Sequence, residues 1–334
     1  MRAYVVTEGS KSLDGLRRVE RPQPAPGPGQ LLVRVRATSL NYRDQMVVTG
    51  NYFGGSVTRD TIPLSDGAGE VVDTGPGVTR FKKGDRVGST FFLGWADGPP
   101  RPLQARGSPV DGMLAEYVAL DDHDAVALPR NLSYEEGATL TCAGVTAWNA
   151  LIETCAVKPG DSVLVLGSGG VSVFALQFAR AAGATVIMTS SSDEKLARGK
   201  ALGAAEGINY RRTPDWEKEV LRLTANRGVD VVVEVGGAGT LARSMQAVAY
   251  AGHVALIGLL AGMQGDTHPH PLMRKSASLH GIFVGSRAML EHMNAAIEAN
   301  DIHPVIDKVF EFDQAADAYR YQQKGAFGKV VIRV

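Results

Sequence analysis

Between Ser162 and Gly183 the chain reads SVLVLGSGGVSVFALQFARAAG: an apolar run, a cluster of glycines, then a helical pattern. Within it, Gly167-Ser168-Gly169-Gly170-Val171-Ser172 has the spacing of a phosphate-cradling turn. Gly167 can make the tight turn, and Gly169 lets backbone approach a pyrophosphate. The helix that follows offers free N–H groups and the positive end of its dipole. Ser172 stands where a third glycine or alanine is usual. A lone Gly-rich turn is a common connector, but one set in a series of strand–helix alternations predicts dinucleotide binding.

The next strand bears on which dinucleotide. A ribose 2′-hydroxyl asks for Asp or Glu about 20 residues after the glycines; here the strand ends Thr189-Ser190-Ser191-Ser192. The hydroxyls of Ser190 and Ser191 leave room for a 2′-phosphate and can donate to it. Lys195 follows on the next helix, which Asp193 is expected to cap, and Tyr210 ends the third strand. NADPH (NADP+) is therefore expected. Gly236, and Gly258 with Leu259, follow later strands at their carboxyl ends, where ligands of such sheets bind.

These residues need elements to hold them. A chain of 334 residues is long for one core and natural for two domains. Met1 to Thr7, LLVRVRAT (Leu31–Thr38), Gly67 to Ser89 and Ala115 to Leu120 read as strands and turns of a small, irregular β-barrel. Trp95 to Gly112 has four prolines and little apolar pattern, and reads as a surface excursion. From about residue 130 the rhythm changes. Tyr134 to Glu153 is helical in pattern, opened by a Ser133/Glu136 capping box. Strands SVLVLG, TVIMTSS, GINY, VDVVVEVGG, GHVALIGLL and LHGIFVG then alternate with helices, including candidates from Pro214 and over Gly239 to Ala249. Met289 to Ala299 is a further helix, and GKVVIRV is a closing strand. Apolar strands between amphipathic helices imply an α/β fold with a doubly wound, Rossmann parallel sheet. The expected domains are 1–125, completed by 287–334, and a dinucleotide-binding domain over 126–286.

Lys plus Arg and Asp plus Glu are both 35, a formal net charge of zero, which argues against a general nucleic-acid or membrane-surface binder. Cys142 and Cys155 are too few for a disulfide framework or a multi-cysteine zinc site. The opening MRAYVVTEGS lacks a signal pattern, and the apolar segment Val254 to Met263 is too short to span a bilayer. A soluble, cytoplasmic protein is expected.

Through SLNYRDQMVVTGNY, PLSDGAGEVVDTGPGVTRFKKGDRV, TCAGVTAWNAL, GSGGVSVFALQFA and FGKVVIRV, the chain resembles the medium-chain dehydrogenase/reductase superfamily over nearly its whole length. Within it the likeness is to the zinc-independent, quinone-oxidoreductase-like branch, and it implies that the β domain is GroES-like. Zinc alcohol dehydrogenases of this superfamily bind metal through a Cys, a His from a Gly-His-Glu motif, and a second Cys or Asp. The matching positions here hold Asn41, Ser65 (with Asp66 beside it) and Cys142. One thiolate cannot make a site that needs three protein ligands, so no metal is expected. The Trp95 to Gly112 excursion lacks the four cysteines of a structural zinc lobe, and His268 and His270 read as an exposed loop pair.

The resemblance further implies that Asn41 lies beside nicotinamide and substrate, and that Thr146 contacts the nicotinamide region. It also implies that Phe283 and Val284 meet the nicotinamide through backbone, and that relatives dimerise by pairing the edge strand LHGIFVG across a two-fold axis. Tyr52 stands where relatives place an active-site tyrosine and is the candidate donor to a substrate oxygen. Tyr42 and Asp44 are alternatives. Half-buried packing is an equal reading for both tyrosines, and Asp44 reads more readily as the anchor of a turn or salt bridge. A relative's second tyrosine, five residues after the asparagine, is Met46 here. Cys142 reads as a small buried hydrophobe.

Reducing an isolated ketone builds a localised alkoxide, for which zinc is the usual Lewis acid in this superfamily. Adding hydride to a conjugated alkene or a quinone builds a delocalised enolate or phenolate, which hydrogen-bond donors can stabilise. The expected activity is NADPH-dependent reduction of an enone C=C bond or a quinone. A zinc-free alcohol dehydrogenase or carbonyl reductase, and a non-catalytic NADPH-binding sensor, are the alternatives.

Overall fold

The computed structural model describes residues 1–101, 104–262, 264–265 and 267–334. Pro102 and Leu103 of the expected surface excursion, and Met263 at the end of the apolar segment, lie outside the described residues. Contacts divide the chain into two compact units, Met1–Val145 with Gly285–Val334, and Thr146–Val284.

In the first unit, β1 (Arg2–Val6) and β2 (Leu16–Glu20) form an antiparallel hairpin. The spine is β3 (Gln30–Leu40), whose alternating Leu31, Val33 and Val35 are buried. It runs straight into α1 (Tyr42–Val48) and pairs antiparallel with β4 (Asp66–Thr74). Beyond β4 lie β5 (Arg86–Ser89) and β7 (Ala125–Ala127), while β6 (Tyr117–Asp121) pairs with β3. The segment after Trp95 is only partly a surface excursion. Trp95, Ala105 and Arg106 are buried, and the buried guanidinium of Arg43 donates to the carbonyls of Arg106 at 2.8 Å and Ser108 at 3.2 Å. An interior guanidinium needs such acceptors, and this backbone supplies them.

The helix expected over Tyr134–Glu153 is not uniform. It comprises α2 (Tyr134–Gly137), a π-helical stretch Leu140–Gly144, α3 (Val145–Trp148) and a second π-helical stretch Asn149–Thr154. The first widened turn has a local cause. The Cys142 N–H donates to Asp66 Oδ2 at 3.3 Å, and Thr141 Oγ1 donates to the Ser89 carbonyl at 2.8 Å, so side-chain and strand partners compete with the helical ladder.

The second unit alternates β8 (Ser162–Val165), α4 (Gly170–Ala181), β9 (Thr185–Ser190), α5 (Asp193–Ala201), β10 (Glu206–Asn209) and α6 (Trp216–Leu223). It continues with β11 (Val229–Glu234), α7 (Leu241–Ala247), β12 (Val248–Leu256), α8 (His270–Lys275) and β13 (Ser278–Gly281). The sheet is parallel in the order β10-β9-β8-β11-β12-β13, the doubly wound arrangement expected. Val163, Leu164, Val165, Val231, Val232 and Val233 are all buried, as strands covered on both faces must be. The helix expected to reach Ala249 stops at Ala247, and β12 starts at Val248. Lys275 Nζ takes the carbonyls of Gln246 and Val248, each at 2.6 Å, at this junction.

The chain then returns to the first unit through α9 (Arg287–Ala299), β14 (Ile306–Glu311), α10 (Ala315–Gln323) and β15 (Lys329–Arg333). β15 lies antiparallel to β3, with Val330 opposite Leu40 and Ile332 opposite Thr38, and β14 lies parallel to β15. Phe310, Tyr319, Val330 and Ile332 complete the core begun by Val33, Val71, Leu114 and Leu120. Among the described residues no helix is long and apolar enough to cross a membrane.

Candidate functional site

The second unit builds its glycine loop from β8. Gly167 turns the chain at φ +73°, a conformation glycine adopts without a Cβ penalty. Gly169 is different: its φ of −78° suits any residue, and a Cβ there would meet nothing within 4 Å. Neither strain nor crowding within the chain asks for glycine at that position. Gly170 and Val171 open α4, whose first turn has N–H groups to offer. Ser172, at the usual third-glycine position, fits by burying its side chain and donating to the Leu166 carbonyl at 2.6 Å. The Gly167 N–H donates to Thr189 Oγ1 at 3.1 Å, and the hydroxyls of Ser168 and Ser190 lie 3.4 Å apart. The loop and the end of β9 are thus tied together.

Ser190 ends β9 and Ser191 follows it, but Asp193 does not cap α5. Ser192 does, in extended backbone, its Oγ accepting the Lys195 N–H at 3.4 Å. Asp193 is drawn away by Arg212 Nη2 at 2.7 Å and Asn209 Nδ2 at 2.9 Å. Arg212, held at the first turn of α5 through Asp193, is a further cation that sequence reasoning missed. Its only signal was two arginines directly after Tyr210, whose own N–H bonds the Ser190 carbonyl at 3.0 Å and whose ring is exposed.

Past the point where strand order reverses, β11 ends in Glu234, which is fully buried and has no Lys or Arg partner among the described residues. Its carboxylate is satisfied by donors instead. Oε1 accepts the N–H groups of Gly236 at 2.7 Å and Gly237 at 3.0 Å and the Thr240 hydroxyl at 2.6 Å, and Oε2 accepts the Ser244 hydroxyl. The neighbouring Gly258–Leu259 turn is fastened to the same loop, the Ala261 N–H donating to the Gly236 carbonyl at 2.7 Å. Val284 holds φ +61°, rare for a β-branched residue, and its carbonyl accepts Asn149 Nδ2 at 2.8 Å. Phe283 beside it is exposed, and Thr146 is buried.

In the first unit, Asn41 follows β3 and caps α1, its N–H donating to Asp44 Oδ2 at 2.7 Å. Asp44 thus anchors the first turn of α1, and burial raises its carboxyl to about 6 although Arg43 and the Asn41 N–H work the other way. The Asn41 Oδ1 accepts Lys329 Nζ at 2.6 Å. Lys329, only 2% exposed, also donates to the Leu40 carbonyl at 2.8 Å and lies 3.5 Å from Asp66 Oδ2. Asp66, fully buried, accepts the hydroxyls of Ser65 at 2.7 Å and Ser39 at 3.4 Å as well as the Cys142 N–H. Leu64 enters this cluster at φ +70°, pressed by a glycine at 112 whose Cβ would sit 2.2 Å from the Leu64 carbonyl oxygen. Asn41, Ser65 and Cys142 are therefore gathered, with Lys329 and Asp66 among them. Lys329 was not anticipated from the sequence.

Tyr52 is half-buried with its ring 4.6 Å above the Arg43 guanidinium, a contact worth on the order of 2 kcal/mol when desolvated. Burial raises the phenol's pKa, against the pull of Arg43, so Tyr52 is a neutral donor at physiological pH. Tyr42 is 55% exposed. Burial and the nearby Asp66 push the Cys142 thiol up, so it is a neutral thiol. Among the described residues no group of three or more His, Cys, Asp and Glu side chains is arranged to hold a metal ion. His268 and His270 are exposed, His270 as the first residue of α8.

Residues 27–130 match the family model described as alcohol dehydrogenase GroES-like domain, and residues 170–299 match the one described as zinc-binding dehydrogenase. The zinc-type alcohol dehydrogenase-like protein C1773.06c of Schizosaccharomyces pombe is 46% identical over 344 residues, spanning 99% of each chain. The quinone oxidoreductase of Homo sapiens is 28% identical over 318 residues, 92% of this chain and 90% of its own. A solved NAD-dependent alcohol dehydrogenase matches with a TM-score of 0.92 and 34% identity, covering 100% of both chains.

Proposed function

The chain belongs to the medium-chain dehydrogenase/reductase superfamily, a family of NAD(P)-dependent oxidoreductases, and from that premise we propose that it reduces activated C=C bonds or quinones with NADPH and without catalytic zinc. The observation that carries this reading is the Lys329 ammonium bonded to Asn41 at the positions where zinc relatives hold metal. An amide, a hydroxyl, a neutral thiol and a fixed cation are a poor donor set for Zn²⁺, which wants deprotonated ligands and no competing positive charge. They suit a delocalised oxyanion, which needs donors rather than a Lewis acid. Asn41 and Tyr52, with Tyr42 as an alternative, are the proposed substrate-side residues.

The nucleotide is assigned to Gly167, Ser168, Gly169, Gly170 and Val171 for the pyrophosphate, and to Ser190, Ser191, Lys195, Tyr210 and Arg212 for a 2′-phosphate. Thr146, Gly236, Gly258, Leu259, Phe283 and Val284 are assigned to the nicotinamide end. The open space at Gly169 and the absence of an acid at the end of β9 support this. When bound, NADPH supplies a hydride to the substrate's electrophilic carbon, and a solvent proton balances the product. The unpaired edge of β13 and the exposed Leu279 support a homodimer, the proposed working form.

The test is oxidation of NADPH by metal-analysed protein with 2-cyclohexenone, a naphthoquinone and saturated aldehydes in parallel. Turnover of the first two is expected. Turnover of saturated aldehydes or alcohols alone would make it a zinc-free alcohol dehydrogenase or carbonyl reductase. NADPH binding with no turnover would make it a sensor, and one tightly held zinc per chain would overturn the metal-free chemistry.

A further inference from the structure

The Asn41 amide has two ends, and only one is engaged. Oδ1 accepts the Lys329 ammonium at 2.6 Å, while Nδ2 is buried and has no hydrogen-bond partner among the described residues. An ammonium carries donors only, so it can bond the amide oxygen and never the amide nitrogen. Lys329 therefore decides which way the amide faces. With the lysine in place, the NH₂ end is the one left over, and a buried donor is costly to leave without an acceptor.

We infer that Lys329 is a positioning residue: it locks the Asn41 amide so that Nδ2 serves as the donor to the substrate oxygen on which negative charge develops. The identity of that oxygen rests on the reductase reading; the locked amide does not. Ammonium contact also draws electron density toward Oδ1, which strengthens Nδ2 as a donor.

A purely structural role, with Lys329 as the counter-ion of Asp66, fits the distances less well. The ammonium lies 3.5 Å from Asp66 Oδ2 but 2.6 Å from Asn41 Oδ1 and 2.8 Å from the Leu40 carbonyl. Strand register is what brings it there. β15 pairs with the end of β3, Val330 opposite Leu40, which sets the preceding lysine against the residues that lead into α1.

The test uses 4-nitrophenolate, an oxyanion that cannot accept hydride, titrated by its visible absorption against the full chain with NADP+ added. Wild type is expected to bind it, and Lys329→Met and Asn41→Ala each to weaken binding about tenfold or more. Adding Lys329→Met to Asn41→Ala should weaken binding by less than about twofold further, since the lysine acts through an amide no longer present. Equal weakening in both backgrounds would assign the lysine to direct charge attraction and overturn the inference. Unchanged binding by Lys329→Met, or a wild type that binds no phenolate, would overturn it too. Because removing one member of a buried ion pair can prevent folding, the same cycle is run in an Asp66→Asn background, with far-UV circular dichroism as the check on folding. If the binding pattern holds but neither enone nor quinone is reduced, the reductase reading falls and the role of Lys329 stands.

Discussion

The carboxylate of Asp44 accepts the backbone N–H of Asn41 at 2.7 Å, and both residues are buried. Burial raises this carboxyl to about 6, whereas an unfolded aspartate titrates near pH 4. A group whose folded pKa is raised contributes its stability in full below the unfolded value and loses it as pH rises through the folded one. The loss here, between about pH 4 and about pH 6, is roughly 3 kcal/mol. Asp44→Asn has no such titration. In urea unfolding the variant is therefore expected to gain on wild type across that window, and a difference that stays flat with pH would remove Asp44 as the buried acid.

Glu234 holds the Gly236–Gly237 turn through two backbone N–H groups and two hydroxyls. Glu234→Gln replaces one acceptor end with donors and leaves buried N–H or O–H groups unpaired, at about 1–3 kcal/mol. Quenching of nicotinamide fluorescence should report NADPH binding about tenfold weaker. Unchanged affinity in a folded variant would confine Glu234 to holding up the sheet end.

Lys195 sits in the first turn of α5, and Arg212 is bonded to Asp193 in the same turn. Lys195→Ala is expected to raise KM for NADPH about tenfold and that for NADH by less than about twofold, because only the phosphate needs the charge. Arg212→Ala should act in the same direction, since it also frees the Asp193 carboxylate to repel a phosphate. Equal effects on both nucleotides would take these cations away from the 2′ position.

Burial pushes the Cys155 thiol up to about 12 and the Cys142 thiol higher still. The thiolate is the reactive form, so native protein at neutral pH should resist iodoacetamide while urea-unfolded protein is alkylated at both positions. Mass spectrometry of the two samples decides it; rapid native labelling of Cys142 would show an exposed, activated thiol instead.

The alternation of strands and helices was legible because β8, β9, β11 and β12, the inner strands of the parallel sheet, carry apolar runs that soon give way to glycine or small polar residues. The glycine turn after β8 and the serines at the end of β9 were legible for the same reason: both are set by local spacing. Lys329 was not. In FGKVVIRV a lysine at the mouth of a strand reads as solvated, and only the pairing of β15 with β3 buries it beside Asn41, 288 residues earlier. The cap of α5 failed for a related reason: aspartate and serine cap about equally well, and Arg212, 19 residues away, claims Asp193. Glu234 left a visible trace, an acid closing the run VDVVVE before two glycines, but its four donors are gathered by the turn it organises.

Because β15 belongs to the sheet that begins with residues near the start of the chain, the order of synthesis matters. A ribosome delivers β3, α1 and Asn41 first, then the whole of Thr146–Val284, and Lys329 only after that. Until then the edge of β3 lacks its partner and Asn41 lacks the cation that orients it. A chain cut short before β15 would carry every glycine of the turn after β8 and still hold an unset amide.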